Sequence, residues 1–328
     1  MNYRNIASFS VYPVGLGAMN LSFGYGSVDD QTAAKVLTDA LDAGINFIDT
    51  AFIYGAGHNE TLIGQVLAAH RNDYVLATKC GLSPDGIDSR PVTIRQQCET
   101  SLKRLQTDVI DLYYLHRVDP TVAIEESVGA LSELVKEGKV REIGLSEVCC
   151  DTLRRAQAEH PIAAVQSEYS LWSRTPEHGI LELCREFGIC FVPFSPLGRG
   201  FLAGSAKSVN ELEENDLRAT IARPRFEEEA FLQNQQVLVP FQAIAQQNQC
   251  SMAQLALAWL LARENQTMVP IPGTRSLAHM RENTEAATIS LDQSTIDQLD
   301  QLINENTIIG TRYTEARMQS TDSERDIE

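Results

Sequence analysis

Positive charge is scarce in this 328-residue chain: 27 lysines and arginines face 44 aspartates and glutamates, a formal net charge of −17. Binding along a nucleic-acid backbone needs a basic face, so nucleic acid is not an expected partner. Long apolar runs are also missing. The most hydrophobic stretch, Leu255 to Ala262, falls far short of the roughly 20 residues that span a bilayer. The opening segment, MNYRNIASFS, has neither the apolar centre of a signal peptide nor the arginine-rich character of a transit peptide. A cytoplasmic protein with no membrane partner is expected. The seven cysteines are an odd number without a C-x-x-C pair, which reads as free thiols in a reducing compartment. Six scattered histidines, with no H-x-x-x-H or H-E-x-x-H spacing, give no metal site to expect.

What is present is a core. Hydrophobic residues make up 43% and charged residues 22%, which excludes disorder of the whole chain. Short apolar, β-branched and aromatic runs (VGLGAM, NFIDTA, YVLATKC, VIDLYYLH, VREIGLS, AAVQSEYS, ICFVPFSPL and TMVPIPG) alternate with amphipathic segments. Ala33, Val36, Leu37, Ala40 and Leu41 form one helical stripe. Ile94, Cys98, Leu102 and Leu105 form a second, and Ile124, Val128, Leu131 and Val135 a third. Eight strand–helix units in one chain predict a single (β/α)8 barrel over 1–328, with an added C-terminal helix. A doubly wound sheet would need a glycine-rich phosphate turn after its first strand. VGLGAMN lacks the third glycine, and the near match Gly198-x-Gly200-x-x-Ala203 comes after the seventh strand, too late for that role. Residues 198–230 are polar and aperiodic, a long loop of the kind that carries function in barrels. Residues 311–328 are expected to form a flexible tail.

Barrel enzymes place their chemistry at the carboxyl ends of the strands. The polar residues closing the apolar runs are Asp49, Lys79, His116, Ser146 and Gln166, and Tyr54 follows Asp49 in the next loop. Taken singly, an aspartate there reads as a helix cap, a lysine as solvated and a histidine as structural. Jointly they have a chemical logic. A buried lysine beside a tyrosine favours the phenolate and lowers the phenol's pKa, making it a proton donor. The aspartate neutralises that lysine, and a neutral histidine can orient a carbonyl group.

Seven motifs in order, GINFIDTAFIYG with Asn59-Glu60, ATK, DLYYLH, IGLS, AAVQSEYS, PFSPLGRGFLAG and PIPGTRSLAHMREN, resemble the aldo-keto reductase superfamily over roughly residues 10 to 300. The likeness points to bacterial and plant members with a long seventh loop, related also to potassium-channel β subunits. It implies that Tyr54 is the general acid for a carbonyl reduced by NADPH, with Lys79 tuning Tyr54, Asp49 pairing with Lys79 and His116 orienting the carbonyl. It further implies that Ser146 and Gln166 meet the nicotinamide amide and that Phe194 stacks on its ring. Ser195, Leu197 and Gly200 would take the pyrophosphate. Gly273, Thr274 and Arg275 would take the adenosine 2′-phosphate, and Glu282 and Asn283 the adenine. Glu147, also placed at the nicotinamide amide, stands where many relatives carry asparagine, and a carboxylate can accept from the amide NH2 but cannot donate to its oxygen. His279 replaces a frequent arginine, so the phosphate site carries less charge. Trp172 and Phe201, in loops after the sixth and seventh strands, are expected to line the substrate mouth.

The function expected on this basis is NADPH-dependent reduction of small aldehydes, and of ketones, to alcohols. An NADP(H)-binding regulatory subunit and a Schiff-base aldolase using Lys79 are the rivals. The intact Asp49, Tyr54, Lys79 and His116 set opposes the first, and a lysine with an aspartate partner opposes the second. Cys149-Cys150 and Cys80 read as packing thiols.

Overall fold

In the computed structural model of the chain, which describes residues 3–263 and 267–326, an antiparallel hairpin of β1 (Arg4–Ile6) and β2 (Phe9–Val11) precedes the barrel. Five units then follow in alternation: β3 (Leu16–Gly17) with α1 (Asp30–Asp42), β4 (Phe47–Asp49) with α2 (His58–Leu67), and β5 (Val75–Cys80), a small ribbon of β6 (Leu82–Ser83) and β7 (Gly86–Ile87), and α3 (Pro91–Leu105). Next come β8 (Ile110–Leu115) with α4 (Ile124–Lys136) and β9 (Val140–Ser146) with α5 (Cys150–Glu159). The sixth and seventh strands are β10 (Ala164–Glu168), followed by α6 (Ile180–Phe187), and β11 (Cys190–Phe194), followed by the long loop. Helices α7 (Glu228–Asn234), α8 (Leu238–Gln247), α9 (Met252–Arg263), α10 (Leu277–Glu285), α11 (Gln293–Leu302) and α12 (Glu315–Gln319) complete the described chain.

Strands β3, β4, β5, β8, β9, β10 and β11 lie side by side in one sheet, and all their pairings are parallel. The eighth expected strand is present in a reduced form, because Pro270 and Pro272 have no N–H to give to a ladder. Val269 and Ile271 donate to Phe191 O and Pro193 O at 2.9 and 3.0 Å. The carbonyls of Pro270 and Pro272 accept from the amides of Gly15 and Gly17 at 2.9 and 3.2 Å. This proline-alternating segment therefore joins β11 to β3 and completes the barrel.

The helical stripes are buried apart from Leu41 of α1 and Val135 of α4, which are half-buried, while Leu134 beside Val135 is buried. Asp29 caps α1 by accepting from Thr32 N at 2.9 Å. Pro91 starts α3, where its missing N–H costs nothing, and Gly188 (φ +68°) ends α6. Phe47, Ala77, Leu112, Ala164, Val192 and Val269 fill the barrel, and Ile6 and Val11 of the hairpin join the same apolar cluster. The hairpin was not anticipated from the sequence. Arg4 ties it down through the carbonyls of Met268 and Leu261.

The tail departs most from expectation. Arg312, Tyr313, Thr321 and Ser323 are buried. Asp322 accepts from Cys149 N at 2.9 Å and Asp326 from Cys150 N at 3.0 Å, so two tail carboxylates cap the N-terminus of α5. Cys149, at that helix start, supplies no side-chain cap of its own. Polar composition suggested fraying; here the polar groups are spent on a buried partner surface.

Candidate active site

Register brings the strand-end residues together. Gly17 lies opposite Asp49, Asp49 opposite Ala77, Lys79 opposite Tyr114 and Gln166 opposite Ser146. Lys79 is fully buried, and its ammonium donates to Asp49 Oδ1 at 2.5 Å and Thr50 O at 2.8 Å. Gln166 Nε2 donates to the second Asp49 oxygen at 2.8 Å. Both carboxylate oxygens are thus occupied, which makes burial of the pair tolerable. Lys79 Nζ lies 5.2 Å from the centre of the Tyr54 ring, and the Tyr54 and His116 rings meet edge-on with centroids 6.0 Å apart.

The loop carrying Tyr54 is anchored on all sides. Phe52 N donates to Lys79 O at 3.1 Å, and Arg104 donates to Phe52 O at 3.1 Å while its guanidinium covers the Phe52 ring. Buried Asn59 accepts from Thr50 Oγ1 at 2.6 Å and donates to Ala18 O and Ser22 Oγ, both at 2.8 Å. Glu60 accepts from Thr78 Oγ1 and from Arg104. Gly57 (φ +95°) takes a left-handed conformation that favours glycine, and a Cβ there would displace the Arg104 guanidinium that braces the loop. The Asn59-Glu60 pair therefore holds the tyrosine loop rather than the reacting groups.

Burial raises the Tyr54 phenol above its ordinary value, and the opposing pull of Lys79 does not overcome it. This corrects the expectation of a lowered value: the lysine favours the phenolate, but desolvation is the larger effect. The phenol is therefore protonated at neutral pH. Burial first, then Arg117, Lys79 and Arg317, hold the His116 ring well below its ordinary value, so it is neutral.

Tyr54, His116 and Asp49 open onto a cavity of about 1310 Å³. Ser146, Gln166, Phe194, Ser195, Leu197, Gly200, Gly273, Thr274, Arg275, His279, Glu282 and Asn283 all line it. Lys79 sits behind this wall. Arg275 Nη1 donates to Ser27 O at 2.8 Å, and Leu217 N donates to Gly24 O at 3.0 Å. The loop after β3 is thereby tied both to the segment after the last strand and to the long loop. Asn283 is buried, and its Oδ1 accepts no hydrogen bond from the described residues.

Three expected contacts are not made. Glu147 does not line the cavity. It has φ +56°, and its buried carboxylate accepts from Arg312 at 2.5 and 3.0 Å, from Ser323 Oγ at 2.6 Å and from Glu168 N at 2.8 Å. It is an anchor for the tail, which explains why a carboxylate stands there. Trp172 and Phe201 are buried rather than at the mouth, stacked with centroids 4.0 Å apart in a cluster with Phe226 and Phe231. Aromatic partners from the end of the long loop, Phe226, and from α7, Phe231, draw them inward.

Several lining residues went unnoticed in the sequence: Arg117, Arg199, Arg218, Tyr313 and Arg317. Arg117, adjacent to His116, had a signal in its position. The others come from the long loop and tail, which have no periodicity to read. Arg199 donates to Glu168 at 2.7 Å and Arg218 to Asp216 at 2.7 and 2.9 Å.

A parallel barrel whose strand ends gather a tyrosine, a histidine and a sealed lysine–aspartate pair over one large cavity defines a class, the barrel oxidoreductases without a dedicated dinucleotide domain. Residues 13–304 match the aldo/keto reductase family, and the chain belongs to that family of oxidoreductases. It is 42% identical to a probable aldo-keto reductase 1 of Glycine max over 312 residues, 93% of this chain and 89% of that one. Among solved structures it is similar to the glycerol dehydrogenase AKR11B4 of Gluconobacter oxydans, with a TM-score of 0.83 and 28% identity over 92% of this chain and 94% of that one. An aldo/keto reductase of Klebsiella pneumoniae, solved in complex with NADP and acetate, gives a TM-score of 0.73 and 26% identity over 93% and 95%.

Proposed function

We propose that the protein is a cytoplasmic, NADPH-dependent oxidoreductase that reduces small aldehydes, and ketones, to alcohols with Tyr54 as the general acid. The observation that carries this is the protonated Tyr54 phenol beside a neutral His116 in one cavity, above a lysine whose charge is already balanced. The Klebsiella relative binds NADP, and two features of this cavity suit the same group. The orphaned Asn283 Oδ1 is an acceptor for the adenine amine, with Glu282 beside it. Arg275, His279, Thr274 and Gly273 form a rim suited to the adenosine phosphate, while Ser146, Gln166 and Phe194 suit the nicotinamide, and Ser195, Leu197 and Gly200 the pyrophosphate. When bound, NADPH supplies the hydride that the carbonyl carbon accepts.

The remaining work belongs to the protein. His116, neutral, donates a hydrogen bond that fixes the carbonyl direction. Tyr54 gives its proton to the carbonyl oxygen as negative charge develops there, and the alcohol forms. The phenolate left behind faces the Lys79 ammonium, which stabilises it until solvent returns the proton. Asp49 and Gln166 keep that ammonium aimed, and Asn59 with Arg104 holds the tyrosine loop.

The test follows NADPH absorbance with 4-nitrobenzaldehyde. Turnover by the wild type and a drop on the order of 10²–10⁴ in kcat for Tyr54→Phe, with NADPH affinity kept, is the expected result. NADPH binding without oxidation across an aldehyde panel would overturn the reading in favour of a regulatory role.

A further inference from the structure

The guanidinium groups around the catalytic mouth are not treated alike. Arg199 is held by Glu168 and Arg312 by Glu147, each with side chains almost fully buried. Arg117 and Arg317 also face the cavity, yet among the described residues no carboxylate pairs with either. Arg117 is 8% exposed; its Nη1 donates to His116 O at 2.6 Å and to Ser146 Oγ at 3.2 Å, and its Nε donates to nothing. Arg317, on α12, is half-buried, and its Nε is likewise a buried donor without an acceptor. Both lie close enough to the His116 ring to disfavour its charged form.

Two guanidiniums with no carboxylate bonded to either, beside a low-dielectric site, are costly. The carboxylate whose charge reaches both, Glu147, bonds neither, since its oxygens are taken by Arg312, Ser323 and Glu168 N, and Asp49 is spent on Lys79. In a chain of net charge −17, keeping two such cations, both shielded from solvent and both near His116, needs a reason. Arginine forks match the paired oxygens of carboxylates and phosphates.

We infer that the substrate carries an anionic group, a carboxylate or a phosphate, which Arg117 and Arg317 bind beside the reacting carbonyl. This rests on the reductase reading and gives it a substrate class: short oxo-acids, semialdehydes or phosphorylated aldehydes. Arg117 shares the cavity with Tyr54 and His116 and lies near enough for its charge to act on both, so the anion and the reacting carbonyl stand only a few carbons apart. Arg317 makes the tail a specificity element.

The experiment compares kcat/KM for succinic semialdehyde with butanal, and for glyceraldehyde 3-phosphate with glyceraldehyde. Alongside, calorimetry follows the binding of succinate and of inorganic phosphate to the NADP+-loaded protein. A preference of about tenfold or more for the anion in either arm is expected, and the arm names the source. Arg317→Met should shrink that ratio roughly tenfold, mainly through KM, with Arg317→Lys restoring part of it. Equal use of charged and neutral aldehydes, or a ratio unmoved by Arg317→Met, overturns the inference while leaving the reductase. Succinate or phosphate binding that Arg317→Met abolishes, in a protein that reduces no aldehyde, upholds the anion site and overturns the reductase. No binding and no turnover overturns both.

Discussion

Two buried ionic clusters lie within the same barrel mouth and are built on opposite plans. In the first, Lys79 and Asp49 stand on neighbouring strands, β5 and β4, and their charges balance one to one. In the second, Arg312 reaches Glu147 across 165 positions of sequence and also contacts Glu324, within a group that includes Arg199 and Glu168. The first cluster serves chemistry: it supports a phenolate for a moment. The second serves attachment, fastening the last turn of chain to the end of β9. The same ion-pair chemistry acts as machinery where strands set the geometry, and as a clasp where a loop must be held.

The sharpest way to break the comparison is at the first cluster. Lys79→Met should cut kcat on the order of 10²–10⁴ by removing the group that stabilises the phenolate. It should also leave Asp49 buried without its cation, at about 3–5 kcal/mol in urea unfolding. Arg312→Leu is the matching cut in the second cluster. It should cost a comparable 3–5 kcal/mol, because Glu147 is then buried and unpaired, and limited proteolysis should find the tail released. Its effect on Tyr54 chemistry should be far smaller than that of Lys79→Met. If Arg312→Leu abolished kcat as Lys79→Met does, the clasp and the machinery would be one unit.

Acidity separates the clusters more gently. Burial works to raise the Glu147 carboxyl, but Arg312, helped by Arg117 and Ser323, brings it down to about 2, below the ordinary 4.5. Because the folded value is depressed, the charged carboxylate adds stability above pH 4.5, and that contribution drains away as pH falls toward 2. Stepwise acid release of the tail, followed by proteolysis, should track this window. The catalytic cluster responds at the other extreme. With Tyr54 raised above 10.0 and His116 neutral, reduction should hold level through neutral pH and decline only at alkaline pH above 10.0. A fall in kcat/KM between pH 7 and 9 would contradict that assignment. The smallest effect expected is at the α5 cap. Asp322→Ala should cost about 1 kcal/mol, the usual worth of a helix cap, with kcat unaltered.

How much of this was legible beforehand follows the same division. Asp49, Lys79, His116, Ser146 and Gln166 could be located because each closes an apolar run, and in a barrel the end of a run is the rim. Tyr54 could be named from its place after Asp49 and its chemistry beside a buried lysine, whereas Gly273, Thr274, Arg275, His279, Glu282 and Asn283 came with the family likeness; all line the one cavity. Glu147 was misplaced because its partner, Arg312, lies in a polar stretch that carries no periodic signal. Trp172 and Phe201 were misplaced for a related reason: their ring partners Phe226 and Phe231 arrive from the far end of the long loop and from α7. Hydrophobic periodicity reports what faces the local layer, not which distant segment returns to cover it. The lowered tyrosine was a matter of magnitude, two correct effects weighed without knowing the depth of burial.

The proline-alternating segment that seals the barrel has a consequence for how the chain comes into being. Its carbonyls reach Gly15 and Gly17, so the first and last staves meet only when residues near both ends of the sequence are present. A ribosome must therefore release most of the polypeptide before the cylinder can shut, and until then β3 and β11 are bare edges open to pairing with other chains. Closure between such remote partners is slow in folding terms. Nascent chains stalled before residue 268 should be the most dependent on chaperones, and the two prolines, which cannot donate to a stranger's strand, limit what the last stave can attract in the meantime.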